Sequence, residues 1–437
     1  MRETLINNFK RISKIPRESG HEEKIADFFI NVAKEKKLYY FKDENNNVLI
    51  RKRGNINSEP VALHAHLDMV CVKKEDSHHD FSREGIEVII KGDNVIAIDT
   101  SLGADQGVGL AMMLAIMEDD TLKHPDLEFM FTTEEETTFN GSVTFPYGKV
   151  ESKRLINLDN AQDDSIVIGA DGDILNEYTM EGKLIECDLP SYRILIDNFP
   201  GGNSGDNIEL SENNAIAVMA KALKDKDIFL RSINGGIFEN DLAANCEVIV
   251  NTNLDLMDIF SDLDVEIEKW DNKLVFSKED TENIVREVLD LKSGYLIQNN
   301  ASANLGVIKT EDNIVKISYI IRSSDEIELE EISKKSKMLN NNFMVREIYR
   351  DSIWKDDRNS ILFNKYKKLY FEEFNEYPED KIAHGGLECT SIKKRMKNLD
   401  IISIGANIEK FHTVEEITYI SSWLKIYRLL VKFLEII

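Results

Sequence analysis

The chain has 437 residues, more than one small core holds, so two or three domains are expected. Its 42% hydrophobic and 30% charged residues are those of an ordinary globular protein. A formal net charge of −25 argues against a nucleic-acid backbone or an anionic membrane surface as partner, and is compatible with divalent cations.

The amino-terminal stretch MRETLINNFKRISKIP lacks the apolar core of a secretion signal, and no run of about 18 apolar residues occurs, so a cytoplasmic, membrane-free protein is expected. Next, HEEKIADFFINVAKEKK has helical spacing, with Ile25, Ala26, Phe29, Ile30 and Val32 as its apolar positions. VALHAH, LEFMFTT and RLINL are short apolar runs bounded by polar residues, which predicts buried strands. Between the first two lies VGLAMMLAIMEDD, apolar on most sides, which predicts a buried helix. This alternation implies an α/β sheet with helices on both faces.

After about residue 173 the texture changes. Strand-like SYRILIDNF precedes GGNSGDN, helical NNAIAVMAKAL, then strand-like ANCEVIVNTNL and NIVKISYIIRSS. From about residue 352 come helical SILFNKYKKLYFEEF, the strand DIISIG and the helix SSWLKIYRLLVKFLEII. One α/β domain (1–172 and 352–437) interrupted by a smaller α+β domain (173–351) accounts for the order. Cys71, Cys187, Cys246 and Cys389 are scattered with no C-x-x-C pair, which predicts reduced thiols.

Residues able to bind metal fall just beyond these runs. His66 and Asp68 would project to the same side of an extended strand. Asp105 lies in the Gly-rich SLGADQGVGL, at the start of the apolar helix. Glu134, Glu135 and Glu136 follow LEFMFTT, Asp159 follows RLINL, and His412 lies one short loop past DIISIG. In open α/β sheets, sites form at the carboxyl ends of strands. Two histidines with several carboxylates suit zinc, or two divalent metals sharing one carboxylate. Taken singly, each has a plainer reading: a helix N-cap for Asp105, a core histidine for His66, a solvated run for the glutamates, a turn for Asp159 and a surface position for His412. Their shared placement on five separated segments favours a site. Nothing nearby completes one around His21, His78 or His79.

With these residues in hand, the chain resembles the zinc metallopeptidase family that includes aminoacylase, glutamate carboxypeptidase and the cytosolic dipeptidases. It is most similar to the branch acting on Xaa-His dipeptides. The likeness runs nearly end to end through IPRESGHEEKIADF, LHAHLDMV, HDF, SLGADQGVG, TTEEET, LINLD, GGNSG, GGIFEN, NLGVI, IRSS, HGGLEC and SIGANIEKFH. It implies a catalytic α/β domain with a central mixed sheet flanked by helices, interrupted by an inserted α+β lid that pairs subunits into a homodimer.

The resemblance also implies roles. Asp105 would bridge two zinc ions, replaceable by Mn²⁺ or Co²⁺. His66 and Asp159 would complete one metal, and Glu136 and His412 the other. Asp68 would steady His66, Glu135 would be the general base, and the Asp105–Gln106 peptide would be cis. Aspartate at position 159 points to dipeptides rather than acylated substrates. Three positions depart from the family. GGNSG carries Asn203 where a histidine is usual, and an amide can donate a hydrogen bond but cannot carry a proton. Thr138 and Val414 replace a glycine and a proline. Arg322 would clamp a substrate carboxylate or pair with a neighbouring acid, and His384 and Glu388 of HGGLEC would line the substrate cleft. Dipeptide hydrolysis is the expectation, with an N-acyl amino-acid amidohydrolase or a catalytically weakened metal-binding protein as alternatives.

Overall fold

The chain begins with α1 (Arg2–Ser13) and α2 (Glu23–Glu35), which bury Leu5, Phe9 and Ile12, and Ile25, Phe29 and Ile30. The computed structural model describes residues 1–205, 207–297, 301–339 and 341–437. β1 (Tyr39–Lys42), β2 (Val48–Lys52) and β3 (Val61–His66) follow. Then comes α3 (Ala104–Glu118), apolar and buried on almost every side, hence a core helix rather than a surface one. Asp105 (ψ 114°) and Gln106 are not helical and are joined by a cis peptide bond, so the regular helix begins after them. β4 (Leu127–Thr132), β5 (Arg154–Asn157) and β6 (Ser165–Ala170) complete this stretch.

The next elements are β7 (Gly172–Glu181), β8 (Ser191–Ile196), α4 (Ala215–Leu223), β9 (Phe229–Gly235), β10 (Cys246–Asn251) and β11 (Glu266–Trp270). They lead to α5 (Lys278–Asp290), β12 (Gly294–Ile297), β13 (Ala301–Glu311), β14 (Ile314–Ser323), α6 (Glu326–Lys337) and β15 (Met344–Arg350). Last are α7 (Ile361–Phe374), β16 (Glu379–Ala383), α8 (Glu388–Arg395), β17 (Asp400–Ser403) and α9 (Ile420–Ile436).

These elements form two compact units. One comprises Met1–Gly169, Trp354–Ile382 and Leu387–Ile437; the other comprises Ala170–Ile353 and Ala383–Gly386. The first is built on an eight-stranded mixed sheet, β1-β2-β4-β3-β5-β17-β6-β16. Its centre, β4, β3, β5 and β17, is parallel. Every residue of β3 and β4 is buried, as expected for a sheet covered on both faces. Residues of α1, α2, α3, α7 and α9 share one apolar core with these strands. The loops that leave the carboxyl ends of the four parallel strands therefore open on the same edge. A small hairpin, Ile408–Glu409 with Ile417–Tyr419, pairs with Asn94–Ile96 and holds the loop that carries His412.

The second unit is a nine-stranded antiparallel sheet in the order β11-β8-β10-β9-β13-β14-β7-β15, with β12 against β13. Ile216 and Met219 of α4, Ile284 and Val288 of α5 and Leu329 of α6 share its core. The mixed α/β architecture read from the sequence is the one observed. No helix among the described residues is long and apolar enough to cross a membrane.

Candidate metal centre

His66 ends β3 and is fully buried. Its Nε2 lies 3.3 Å from Asp105 Oδ1, 3.9 Å from Asp159 Oδ1 and 4.0 Å from Glu135 Oε2. His412 stands in the hairpin loop at φ +63°, with Nε2 2.8 Å from Glu136 Oε2 and 3.5 Å from Asp105 Oδ2. Asp105 thus faces both histidines, one with each oxygen. Ligand atoms of His66, Asp105 and Glu136 all lie within 4.8 Å of one another.

The three consecutive glutamates separate. Glu134, at φ +53°, accepts from Thr138 Oγ1 and Asn140 Nδ2 and so organises its own turn. Glu135 faces His66 and Glu136 faces His412. Asp68 Oδ1 is 3.3 Å from His66 Nδ1, and the same carboxylate accepts from Ser19 Oγ and from the amides of Glu135 and Glu136. Gln106 Nε2 donates to Asp159 Oδ1 at 2.8 Å, which fixes that carboxylate.

The electrostatics call for positive charge. Burial lifts Glu135 well above the usual carboxylate range, and Glu136 and Asp159 add to the lift while His66 opposes it. Burial lifts Asp159 in the same way, with Asp105 adding. Burial also works against the Asp105 anion, but the contacts with His412 and His66 hold its carboxyl below the usual range. For His412, burial disfavours the cation, yet Glu136 and Asp105 prevail and push it up to about 12. Without a cation, the protein relieves these acids by favouring protons on Glu135 and Asp159 and by charging its histidines. A divalent cation would balance them while leaving the imidazole lone pairs free to bind it.

The donor set fits such a cation. Glu136 Oε1 is buried without a hydrogen-bond partner, while its other oxygen lies 2.8 Å from His412 Nε2. Buried polar atoms of this kind call for an explanation, and imidazole with carboxylate is a zinc-type ligand set.

Sequence reasoning missed several supporting groups. Arg17, Ser19 and Glu22 lie in the motif IPRESGHEE, whose chemistry was not read. Ser19 holds Asp68, and Glu22 Oε1 accepts the amides of Gly20 and Glu134 at 2.8 and 2.9 Å. Glu416, four residues past His412, accepts amides from the Asp105 turn. Buried His64 is 2.8 Å from Asn157 Nδ2 and 3.1 Å from Thr132 Oγ1. Glu388 belongs to the same buried group. It accepts from Thr132 Oγ1 at 2.6 Å and lies 3.3 Å from His64 Nε2.

The remaining candidates belong to the second unit. Arg322 is buried and donates from Nη1 to Ser204 Oγ at 2.8 Å. Asn203 Oδ1 accepts the Gly205 amide at 2.7 Å. His384 Nδ1 is 2.5 Å from Asp171 Oδ2, and its Nε2 is 2.7 Å from Ser302 Oγ.

No family model matches the chain. It is 28% identical to the cytosol non-specific dipeptidase of Escherichia coli (strain K12), over 95% of this chain and 93% of that protein. The crystal structure of aminoacylhistidine dipeptidase from Vibrio alginolyticus matches with a TM-score of 0.74 at 26% identity, covering 99% of this chain and 96% of that one. An M20 family metallo-carboxypeptidase from Sulfolobus solfataricus shares the fold, with a TM-score of 0.54 at 15% identity over 100% of this chain and 99% of that one.

Proposed function

We propose that the chain is a peptide hydrolase of the M20 family of metallopeptidases, and within it a cytoplasmic dinuclear metallo-dipeptidase acting on unblocked dipeptides, Xaa-His dipeptides among them. The observation that supports this best is Asp105, which presents one oxygen to each of two histidines. His66 and Asp159 would hold one cation, Glu136 and His412 the other, and Asp105 both, with zinc the first choice and Mn²⁺ or Co²⁺ as substitutes.

Bound divalent cations supply Lewis acidity, which polarises the scissile carbonyl and lowers the pKa of water toward neutrality. Glu135 is the general base. Its Oε2 stands 4.0 Å from His66 Nε2, and burial keeps its proton affinity high. It takes a proton from the attacking water and returns it to the leaving amine. Asp68 orients His66, as an acid behind a ligand histidine does. In the same proposal Asn203, Arg322, His384 and Glu388 contact substrate, and the inserted domain pairs two copies of the chain.

An assay on unblocked dipeptides with added Zn²⁺, Mn²⁺ or Co²⁺ tests the reading, and hydrolysis is expected. Silence across the panel would favour a binding protein that has lost turnover, for which the asparagine at position 203 is the motive. A preference for N-acyl amino acids would move the assignment to an amidohydrolase. Glu135→Gln is expected to keep its metal and to lose roughly 10²–10⁴ in turnover. Loss of a metal instead would make Glu135 a ligand.

A further inference from the structure

Arg17 and Glu416 are buried charges, 2% and 3% exposed, that the chemistry above leaves without a task. Both end on the same turn, Leu102–Asp105. Glu416 Oε2 accepts the amides of Leu102 and Gly103 at 2.8 and 2.9 Å. Its Oε1 accepts those of Ala104 and Asp105 at 2.8 and 3.3 Å. Four successive N–H groups thus converge on one carboxylate, which a buried anion needs if it is to offset its lost hydration.

Arg17 holds the turn by its carbonyl side. Its Nη2 donates to Gly103 O at 2.5 Å, while Nη1 donates to the carbonyls of Leu67, at 3.1 Å, and Asp68. Gly103 sits at φ +66°, and a Cβ there would lie 2.6 Å from Arg17 Nη2 and 2.7 Å from Met69 Sδ. Only glycine allows both the backbone conformation and this close approach.

The connections explain why charges are used. Glu416 belongs to the His412 loop, so its bonds tie that loop to the Asp105 turn. Arg17 ties the chain just past His66 to the same turn. We propose that Arg17 and Glu416 are a positioning pair that presets Asp105 between His66 and His412, so that both cation positions exist before a cation arrives. The inference rests on the metal reading above. A ligand held in place beforehand loses less freedom on binding, and groups that orient ligands typically set about 10–100-fold in metal affinity.

The test titrates metal-stripped protein with Co²⁺ against a chromogenic chelator and records the visible Co²⁺ spectrum. Glu416→Gln keeps the side-chain volume but turns an amide NH₂ toward backbone N–H groups. Its affinity is expected to fall about 10–100-fold at both positions, with a changed spectrum, because Asp105 serves both. Arg17→Lys keeps the charge, loses the forked donor and is expected to shift in the same direction. Glu415→Gln, at an exposed neighbour paired with Lys410, is the control and should match wild type.

Wild-type affinity and spectrum in Glu416→Gln and Arg17→Lys would overturn the pair, as would a loss confined to the thermal stability of the metal-free protein. Should Glu416→Gln not fold, Arg17→Lys decides on the same readouts. Failure of the wild-type chain to bind Co²⁺ would overturn the metal reading itself, and the positioning role with it.

Discussion

Asp105 and Asp171 are both aspartates set against histidines, but they keep different electrostatic company. Asp105 shares His66 and His412 with Glu135, Glu136 and Asp159, so acids outnumber the bases available to them. Asp171 has His384 at 2.5 Å, whose other nitrogen meets a neutral hydroxyl. Nearby Asp173 is fully buried and is pushed up to about 7 by burial, with Asp351 and Asp171 adding and Arg322 opposing. In the second unit, then, the environment of Asp173 favours holding a proton over holding the charge. In the first unit the surplus acids converge with the Nε2 atoms of two histidines, which suits a dication. A buried acid cluster is therefore not by itself a metal site; the geometry of the bases around it decides.

Stripping divalent cations breaks the comparison most sharply. Dialysis against a strong chelator is expected to abolish peptide hydrolysis, and added Zn²⁺, Mn²⁺ or Co²⁺ to restore it, as followed by amine release. Undiminished turnover in chelated protein would mean that the first cluster is as self-sufficient as the second.

The second unit offers a smaller effect. Asp173 has a folded-state value above its unfolded one, so its contribution to stability is full below about pH 4 and is lost as pH rises toward 7. Asp173→Asn should remove that slope. Relative to wild type, it should gain on the order of 4 kcal/mol between pH 4 and pH 8, as read from denaturant midpoints. Parallel pH profiles for the two proteins would show that Asp173 does not relieve the charge.

Least of all should come from charges paired near the surface. Arg193 bonds Glu247 at 2.6 Å and Glu268 at 3.3 Å, with side chains 25%, 29% and 57% exposed. Arg193→Met should cost only about 0.2–1 kcal/mol. A much larger loss in the same denaturation experiment would show that the second unit depends on its ion pairs.

Much of the first unit was legible. VALHAH, LEFMFTT and RLINL became β3, β4 and β5, since strands buried on both faces must be apolar throughout. VGLAMMLAIMEDD fell in α3 for the matching reason. Strand β15 was not foreseen. It lies at the sheet edge and exposes most of its side chains, so no apolar alternation marks it. Ligand candidates were legible because few residue types bind metals and each followed a recognisable run. Arg17 and Glu416 were not, because nothing local distinguishes a charge that serves distant backbone from one that faces water. Glu416 and the amides it accepts lie more than three hundred residues apart.

The order in which the first unit is assembled follows from its interrupted sequence. β17 inserts between β5 and β6, yet more than two hundred residues of chain separate it from either. During synthesis the strands up to β6 emerge long before β17 and the His412 loop, so the sheet stays open and its acids lack one histidine. Non-local pairings of this kind form late. On the proposed reading, metal loading would therefore be an event of the finished chain, and a ribosome-bound fragment ending before residue 400 would expose sheet edges that a chaperone has reason to cover.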